Sequence, residues 1–423
     1  MPVEEQKRAN PVRRFFSALG PGLVTGAADD DPSGIATYSI AGAQFGTSFL
    51  WLAWLTWPLM MAVQMMCARI GMMSGMGLAG ALNKKFPRWV LIIVSMALFV
   101  ANTINIGADL SGMADAANVL SGVSADYYVV MFGLLIGWAI VHFRYYQIAN
   151  VLKWLALSLF AYIATAFMIN ADWSEVAHDT FTVKMPKGSE AWGMLVAILG
   201  TTISPYLFFW QSAQEVEEHK AKGKRMVAVK AYSEKHELAD RMIDVGAGTF
   251  LSNIVMFFVI VTTAFTLNRH GITHIETSKQ AAMALRPLAG AHAMQLYTLG
   301  IVAVGLLAIP TLAGSSAYAF AEIFNWDHGL DEKLKNAHAF YAIIIVSIII
   351  GIGLDFLDIN PIKALYWSAI LNGLTAPFIM VGIVIVAANH RIMRKHESSV
   401  FSLAVVGIAT LIMFAAAIGM FVF

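Results

Sequence analysis

The amino-acid sequence predicts an all-α polytopic membrane protein. Hydrophobic residues make up 58% of the 423 residues and charged residues only 13%, whereas about a quarter of the residues of a soluble domain are charged. The charged residues gather in short islands between apolar runs of roughly twenty residues or more, the length that an α-helix needs to cross a bilayer. This pattern excludes an ordinary soluble globule.

Apolar runs bounded by charge, glycine or proline predict eleven transmembrane helices in a single membrane domain that fills residues 1–423. The predicted spans are centred near residues 32, 60, 105, 134, 160, 203, 256, 309, 347, 376 and 411. The third and eighth runs are longer than a bilayer requires, which predicts tilt or extension beyond the membrane.

The placement of basic residues predicts a cytoplasmic N-terminus. With that orientation, 22 of the 28 lysine and arginine residues lie on the cytoplasmic side, as the positive-inside rule requires. An odd number of spans then leaves the C-terminus outside. The N-terminal segment lacks the short apolar core and cleavage site of a signal peptide, so we expect the first helix to direct insertion into the inner membrane.

Composition also excludes several partners and cofactors. The formal net charge of +1 gives no global field that would attract nucleic acid. The single cysteine, Cys67, excludes an intramolecular disulfide and a multi-cysteine zinc site. We expect the lipid bilayer as the surroundings, no cofactor and no obligatory protein partner.

The predicted first span contains polar residues where an uninterrupted helix would be apolar. It reads GPGLVTGAADDDPSGIATYSIAGAQFG over residues 20–46. Proline inside a helix removes a backbone hydrogen bond and clashes with the preceding turn, so Pro32 predicts a break, and Ser33 and Gly34 lower the cost of unwinding.

Three consecutive aspartates precede this proline, and Asp31 lies directly before it. An ionised carboxylate at membrane depth is costly unless it meets a partner, a cavity or an ion. Carbonyl groups freed by the break would point into the same cavity. Because carboxylate and carbonyl oxygens together suit a cation, we predict a cation site at Asp31. We expect Asp29 and Asp30 to cap a half-helix or to face vestibule water.

The predicted sixth span has a similar spacing of helix-breaking residues. Gly200 precedes Pro205 by five residues, and Gly26 precedes Pro32 by six. Paired interrupted helices indicate a transporter whose site lies between two inverted repeats. The predicted division is one five-helix repeat over about residues 15–170, a second over about residues 190–390, and an extra helix over about residues 398–423. The hydroxyl residues before the second proline are expected to join the site: Thr201, Thr202 and Ser204.

At these two breaks the sequence resembles the NRAMP family of divalent-metal transporters, and the likeness covers nearly the whole chain. The family reads Asp-Pro-Gly-Asn in the first helix, where residues 31–34 read Asp-Pro-Ser-Gly. It reads Met-Pro-His in the sixth helix, where residues 204–206 read Ser-Pro-Tyr. The resemblance implies a LeuT-type fold and makes Asp31 the metal-binding carboxylate.

The first departure from the family pattern concerns the choice of metal. A thioether ligand favours softer transition metals, so a serine at position 204 leaves a site dominated by oxygen. Mg²⁺ is typically held through one or two carboxylates and retained waters. The sequence therefore looks most like the NRAMP-related magnesium transporters, the NRMT branch, which carry Mg²⁺ and Mn²⁺.

The predicted tenth span offers two further polar residues, Asn372 and Thr375, which lie three residues apart on one helical face. They align approximately with a family position that approaches the metal. Hydrogen bonding between helices would explain them equally well.

The second departure concerns proton coupling, in which third-helix acids and the sixth-helix histidine of the family are implicated. Tyr206 replaces that histidine here, and a phenol with an unperturbed pKa near 10 is a poor proton shuttle. Asn102 and Asn105 lie near the expected depth of the third span and cannot titrate. Asp109 and Asp115 lie further along, where a modified relay, helix packing or an outer vestibule would each explain them.

We therefore expect a secondary transporter that imports divalent metal cations, Mg²⁺ and also Mn²⁺, by alternating access with weak or no proton coupling. One alternative is a conventional proton-coupled Mn²⁺/Fe²⁺ importer. Another is a sodium-coupled transporter of an organic solute with the same fold. An enzyme is not expected, because the HExxH pair of an intramembrane metalloprotease does not occur.

Overall fold

The structure is a computed structural model that describes residues 25–26, 28–143, 157–221, 231–357 and 359–423. Within these ranges all regular structure is helical, as predicted. Sixteen α-helices are labelled in chain order. They are α1 Pro32–Phe45, α2 Trp51–Ser74, α3 Leu78–Asn83, α4 Arg88–Ser121, α5 Ala125–His142, α6 Phe160–Met168, α7 Trp173–Phe181, α8 Ser189–Thr202, α9 Pro205–Ala221, α10 Ala231–Thr266, α11 Ser278–Met283, α12 Arg286–Ala289, α13 Ala293–Phe324, α14 His338–Asp355, α15 Pro361–Ala387 and α16 Val400–Val422.

Nine segments among the described residues are long and apolar enough to cross a membrane. They correspond to the predicted second to fourth and sixth to eleventh spans, with α8 and α9 forming one interrupted span. The first and fifth predicted spans lie partly outside the described residues. Their described parts include α1, with 14 residues, and α6, with 9. The count of eleven spans stays a prediction.

The third and eighth spans are the long helices that the sequence predicts. Helices α4 and α13 contain 34 and 32 residues, so each is about 50 Å long at 1.5 Å per residue. They pack against each other, and the side-chain nitrogen of Asn102 in α4 lies 2.9–3.0 Å from three α13 acceptors, the carbonyl of Leu312 and the hydroxyls of Ser315 and Ser316.

Both predicted breaks are present. Residues 28–29 are helical, and a new helix begins at Pro32; likewise α8 ends at Thr202, and α9 begins at Pro205. Each proline occupies the first position of the second half-helix, where its missing N–H costs nothing. Prolines also lie inside the unbroken helices α2, α13 and α15, so proline alone does not cause a break.

Close backbone contacts hold the interrupted spans against unbroken ones. A Cβ at Gly200 of α8 would lie 2.1 Å from the carbonyl oxygen of Ala369 and 2.4 Å from the amide nitrogen of Gly373, both in α15. A Cβ at Gly26 would lie 2.3 Å from the carbonyl carbon of Gly248 in α10. Because backbone atoms cannot move aside cheaply, only glycine allows these approaches.

We predict that Gly200→Ala lowers the free energy of unfolding by about 1–3 kcal/mol, because the added methyl group would overlap the α15 backbone. Gly137→Ala is the matched control, since nothing lies within 4 Å of a Cβ at that position. In the control, alanine should leave the unfolding temperature of the detergent-solubilised protein unchanged or raise it. Equal melting temperatures for the two variants would contradict the close α8–α15 contact.

Candidate functional site at the two helix breaks

Asp31 lies at the centre of the first break, buried with 2% of its surface exposed. Its Oδ1 accepts hydrogen bonds of 2.7 Å from the backbone N–H of Gly34 and from the hydroxyl of Ser33, so the carboxylate caps α1. An anion at a helix N-terminus is favoured by the unpaired N–H groups and by the helix dipole.

The other oxygen of Asp31 is held from the opposite side of the bundle. Asn105 of α4 donates its side-chain N–H to Asp31 Oδ2 at 3.0 Å. The Asn105 carbonyl oxygen accepts a 2.7 Å hydrogen bond from the hydroxyl of Ser368 in α15. A polar chain therefore runs from α15 through α4 to the break.

Asp31 retains room for one further ligand. An ionised carboxylate offers about four lone-pair directions, and three donors occupy three of them. All three donors are neutral: a hydroxyl, a backbone amide and a side-chain amide. The charge of Asp31 is thus oriented by dipoles rather than cancelled by a neighbouring base.

The three hydroxyl residues at the second break donate hydrogen bonds to backbone carbonyl groups of α8. Ser204 donates to the carbonyls of Gly200 and Thr201 at 2.7 and 2.8 Å. Thr201 and Thr202 both donate to the carbonyl of Ile198. All three are buried. Because each hydroxyl hydrogen is used within the helix, each oxygen keeps its lone pairs for another donor or a cation.

Tyr206 joins the two breaks. Its hydroxyl donates a 3.1 Å hydrogen bond to the carbonyl of Ala28, in the turn before the first break, and its side chain is buried. The tyrosine that stands where the family has histidine therefore holds the two interruptions beside each other.

The two predicted residues of the tenth span, Asn372 and Thr375, have different surroundings in the structure. Asn372 is buried, and its side-chain oxygen has no hydrogen-bond partner among the described residues. Half-buried Thr375 donates to the carbonyls of Leu371 and Asn372 in its own helix. Within the described chain, the α15 side chain bonded into the Asp31 network is Ser368, one turn before Asn372.

Asp109 of α4 is fully buried close to Asp31 and to the backbone amide of Ser33. Neither of its carboxylate oxygens has a hydrogen-bond partner in the described part of the chain. The sequence left three explanations open for this residue: helix packing, a position in an outer vestibule, or a modified proton relay. A vestibule position does not fit its burial, and the structure places it next to the first break.

The expectation that Asp29 and Asp30 cap a half-helix or face water is wrong. The cap is Asp31, and the two preceding carboxylates are 0% and 4% exposed. Both lie within hydrogen-bond distance of the hydroxyl of Ser252 in α10, with Asp29 Oδ2 at 2.7 Å and Asp30 Oδ1 at 3.1 Å. Their side chains thus point toward α10, whereas Asp31 points toward α4 and α15.

Below the second break a separate polar network holds α9 against α10. Arg241 forms ion pairs with Glu215, Glu218 and Asp244. Gln211 donates to Glu215 at 2.8 Å and accepts from Thr25 of the first span at 2.9 Å. This network connects the described lower parts of the first, sixth and seventh spans.

These features define a class of protein. Two helices interrupted beside each other, with buried polar groups at the interruptions, are typical of secondary transporters built on discontinuous helices. The fold is of the LeuT type, and the chain is not an enzyme. The family model described as Nramp, natural resistance-associated macrophage protein-like, matches residues 22–423. The chain therefore belongs to the Nramp family.

Curated relatives are distant but match along most of their length. The chain is 24% identical over 410 residues to the divalent metal cation transporter MntH of Caldanaerobacter subterraneus subsp. tengcongensis, which covers 93% of this chain and 91% of that protein. It is 25% identical over 320 residues to the MntH protein of Yersinia pestis, with 72% and 73% of the two chains covered.

Solved structures show the same fold. The Eremococcus coleocola manganese transporter, in complex with an aromatic bis-isothiourea compound, superposes with a TM-score of 0.77 at 16% identity, covering 96% of this chain and 87% of that one. Mhp1, a nucleobase-cation-symport-1 family transporter in a closed conformation, gives a TM-score of 0.53 at 13% identity, with 95% and 90% covered.

We predict that Asn105→Leu lowers the free energy of unfolding by about 2 kcal/mol, because Asp31 loses a donor to a charged group, and that Ser368→Ala lowers it by about 1 kcal/mol. The double variant should be no less stable than Asn105→Leu alone. Once leucine replaces Asn105, Ser368 no longer has a side-chain amide to orient, so its removal costs nothing further. Thermal or denaturant unfolding of the four proteins in detergent completes the cycle. Additivity of the two losses would show that the chain from Ser368 to Asp31 does not act as a unit.

Proposed function

We propose that the protein is a secondary transporter that imports divalent metal cations, Mg²⁺ and also Mn²⁺, by alternating access. The observation that carries the proposal is the environment of the Asp31 carboxylate. This carboxylate is buried at the paired breaks with three neutral donors, none of which cancels its charge. A cation in the remaining direction would neutralise it.

The ligand set that we propose is made of oxygen. The carboxylate of Asp31, the hydroxyl of Ser33 and backbone oxygens near Gly34 would contribute from the first break. The proposed contributions of the sixth and tenth spans are Thr201, Thr202, Ser204, Asn372 and Thr375. In the described part of the chain, no group of three histidine, cysteine, aspartate or glutamate side chains is arranged so that it could hold a metal ion. One carboxylate with neutral oxygens and retained waters suits Mg²⁺, which gives up water reluctantly.

The names of the relatives agree with a divalent cation. The MntH proteins are called divalent metal cation transporters, and the Eremococcus coleocola protein a manganese transporter. The serine at position 204, where the family has a sulfur ligand, favours harder cations and the magnesium-transporting NRMT branch.

We place the protein in the inner membrane with its N-terminus in the cytoplasm and its C-terminus outside. An inside-negative membrane potential drives a divalent cation inward with about 4.6 kcal/mol per 100 mV, twice the value for one charge. The helices around the site would rock between outward-open and inward-open states. The proposed division remains two five-helix repeats, about residues 15–170 and about residues 190–390, with the extra helix at about residues 398–423.

Asp31→Ala should reduce uptake of Mg²⁺ and Mn²⁺ into proteoliposomes to the level of protein-free vesicles, because it removes the charged ligand. Gel filtration and membrane insertion should remain normal. Asp126→Ala is the control, since that exposed carboxylate lies in the first turn of α5 and accepts a hydrogen bond from Ser124. Wild-type uptake by a correctly inserted Asp31→Ala variant would refute the site.

Ser204→Met should shift uptake from Mg²⁺ toward Mn²⁺ and Cd²⁺, because a thioether binds softer cations better. Ser204→Ala separates loss of the oxygen from gain of the sulfur, and it should weaken Mg²⁺ uptake without increasing that of Cd²⁺. Competition uptake with the three ions measures the ratio. The same ratio in wild type and Ser204→Met would exclude residue 204 from the ligands.

For coupling, we propose that protons contribute weakly or not at all, since Tyr206 hydrogen-bonds to Ala28 and Asn105 cannot titrate. A proton-coupled importer is a second candidate, because Asp109 is a buried carboxyl beside Asp31. The two differ in a liposome experiment with a pH-sensitive dye and a potassium potential. We expect Mg²⁺ entry without acidification of the lumen. Metal-dependent acidification that Asp109→Asn abolishes would establish the coupled mechanism instead.

A further inference from the structure

The carboxylates of Asp29 and Asp30 converge on one hydroxyl in α10. Ser252 Oγ lies 2.7 Å from Asp29 Oδ2 and 3.1 Å from Asp30 Oδ1. A serine hydroxyl has one hydrogen, so it cannot satisfy both carboxylates together. The second oxygen of Asp29 is buried without a hydrogen-bond partner among the described residues. Something other than Ser252 must balance this pair.

Tyr38 of α1 adds an independent polar group. Its side chain is fully buried, its hydroxyl has no hydrogen-bond partner within the described chain, and it lies close enough to Asp29 and Asp30 to interact with their charges. Tyr206 of α9 is also close enough to Asp29 to interact with its charge, as it is to Asp31. Every such neighbour on α1, α9 and α10 supplies oxygen, and in the described part of the chain no lysine, arginine or histidine pairs with either aspartate.

Backbone packing fixes these groups in place. Above and below Ser252, α10 touches the first span at glycines. A Cβ at Gly26 would lie 2.3 Å from Gly248, one turn before Ser252, and a Cβ at Gly42 would lie 2.4 Å from the carbonyl oxygen of Ile260. The backbone on both sides of the two carboxylates is therefore held against α10.

We propose that Asp29 and Asp30, with Ser252 and Tyr38, form a second site for a hard divalent cation, on the α10 side of the first break. Two carboxylates match a divalent charge, and carboxylate and hydroxyl oxygens are the ligands that Mg²⁺ and Mn²⁺ accept. The site is distinct from Asp31, whose carboxylate points to α4 and α15. It rests on the proposed function only in taking the same class of ion.

The test counts bound ions on the purified full-length protein. Mn²⁺ is titrated into the detergent-solubilised chain, and free Mn²⁺ is measured by electron paramagnetic resonance. We expect two Mn²⁺ per wild-type chain and one for the isosteric double variant Asp29→Asn/Asp30→Asn. Asp31→Ala should also bind one, and the combination of all three changes should bind none.

Ser252→Ala provides a second readout if the double variant fails to fold. It should weaken one of the two binding events about 10-fold, the size expected when a supporting polar group of a metal site is removed. Thr249→Ala is the matched control, because that hydroxyl donates only to carbonyls of α10. It should leave both events unchanged.

The outcomes separate this inference from the proposed function. A wild-type chain that binds a single Mn²⁺, lost in Asp31→Ala and retained in Asp29→Asn/Asp30→Asn, overturns the second site. It would mean that protons neutralise the pair, while the proposed function stands. Binding of one Mn²⁺ that only the Asp29→Asn/Asp30→Asn change removes would overturn the Asp31 site instead. Wild-type protein that binds no Mn²⁺ contradicts both.

Discussion

The constraint on which the rest of the structure depends is a carboxylate buried in a bundle of membrane-spanning helices. At that depth a charge is tolerated only when donors, a cavity or an ion replace water. Asp31 meets this condition through the break itself, because the unpaired N–H groups of α1 begin where the carboxylate lies. The break and the charge therefore support each other. An unbroken first span would leave Asp31 without its cap, and an apolar residue at position 31 would leave the helix start without an acceptor.

Glycine contacts turn this local arrangement into a bundle. At Gly200 and Gly26 the broken spans approach unbroken helices so closely that a single methyl group would collide with backbone. Such contacts fix the depth of each break, because sliding by one residue would bring a side chain into the contact. The Tyr206 hydrogen bond to Ala28 then joins the two interruptions directly. Rigid neighbours thus hold the irregular backbone that a cation would contact.

Much of this could be predicted from the sequence, and the limits have a physical reason. Local properties of the sequence predict the positions of the spans, the long helices α4 and α13, and both breaks. These properties are the length of each apolar run and the placement of proline beside small polar residues. They do not predict the partners of the site residues. Ser368 is 263 residues from Asn105, and Ser252 is 223 from Asp29, so no local pattern connects them. Ser368 could have been found, since it lies one turn from Asn372 on the same face. The burial of Asp29 and Asp30 could not, because it depends on where α10 packs.

The distribution of positive charge separates the site from the rest of the buried polar residues. Below the break, Arg241 lies among Glu215, Glu218 and Asp244 and pairs with each. A buried charge cluster that contains its own base can remain folded without any ion. Around the first break, Asp29, Asp30, Asp31 and Asp109 are all buried, and none has a basic partner in the described part of the chain. Removing a cation or proton from that region leaves like charges facing one another across neutral dipoles. This repulsion destabilises the empty site, and binding a cation relieves it. The relief offsets part of the cost of removing water from a strongly hydrated ion, while the rest of the bundle remains stable.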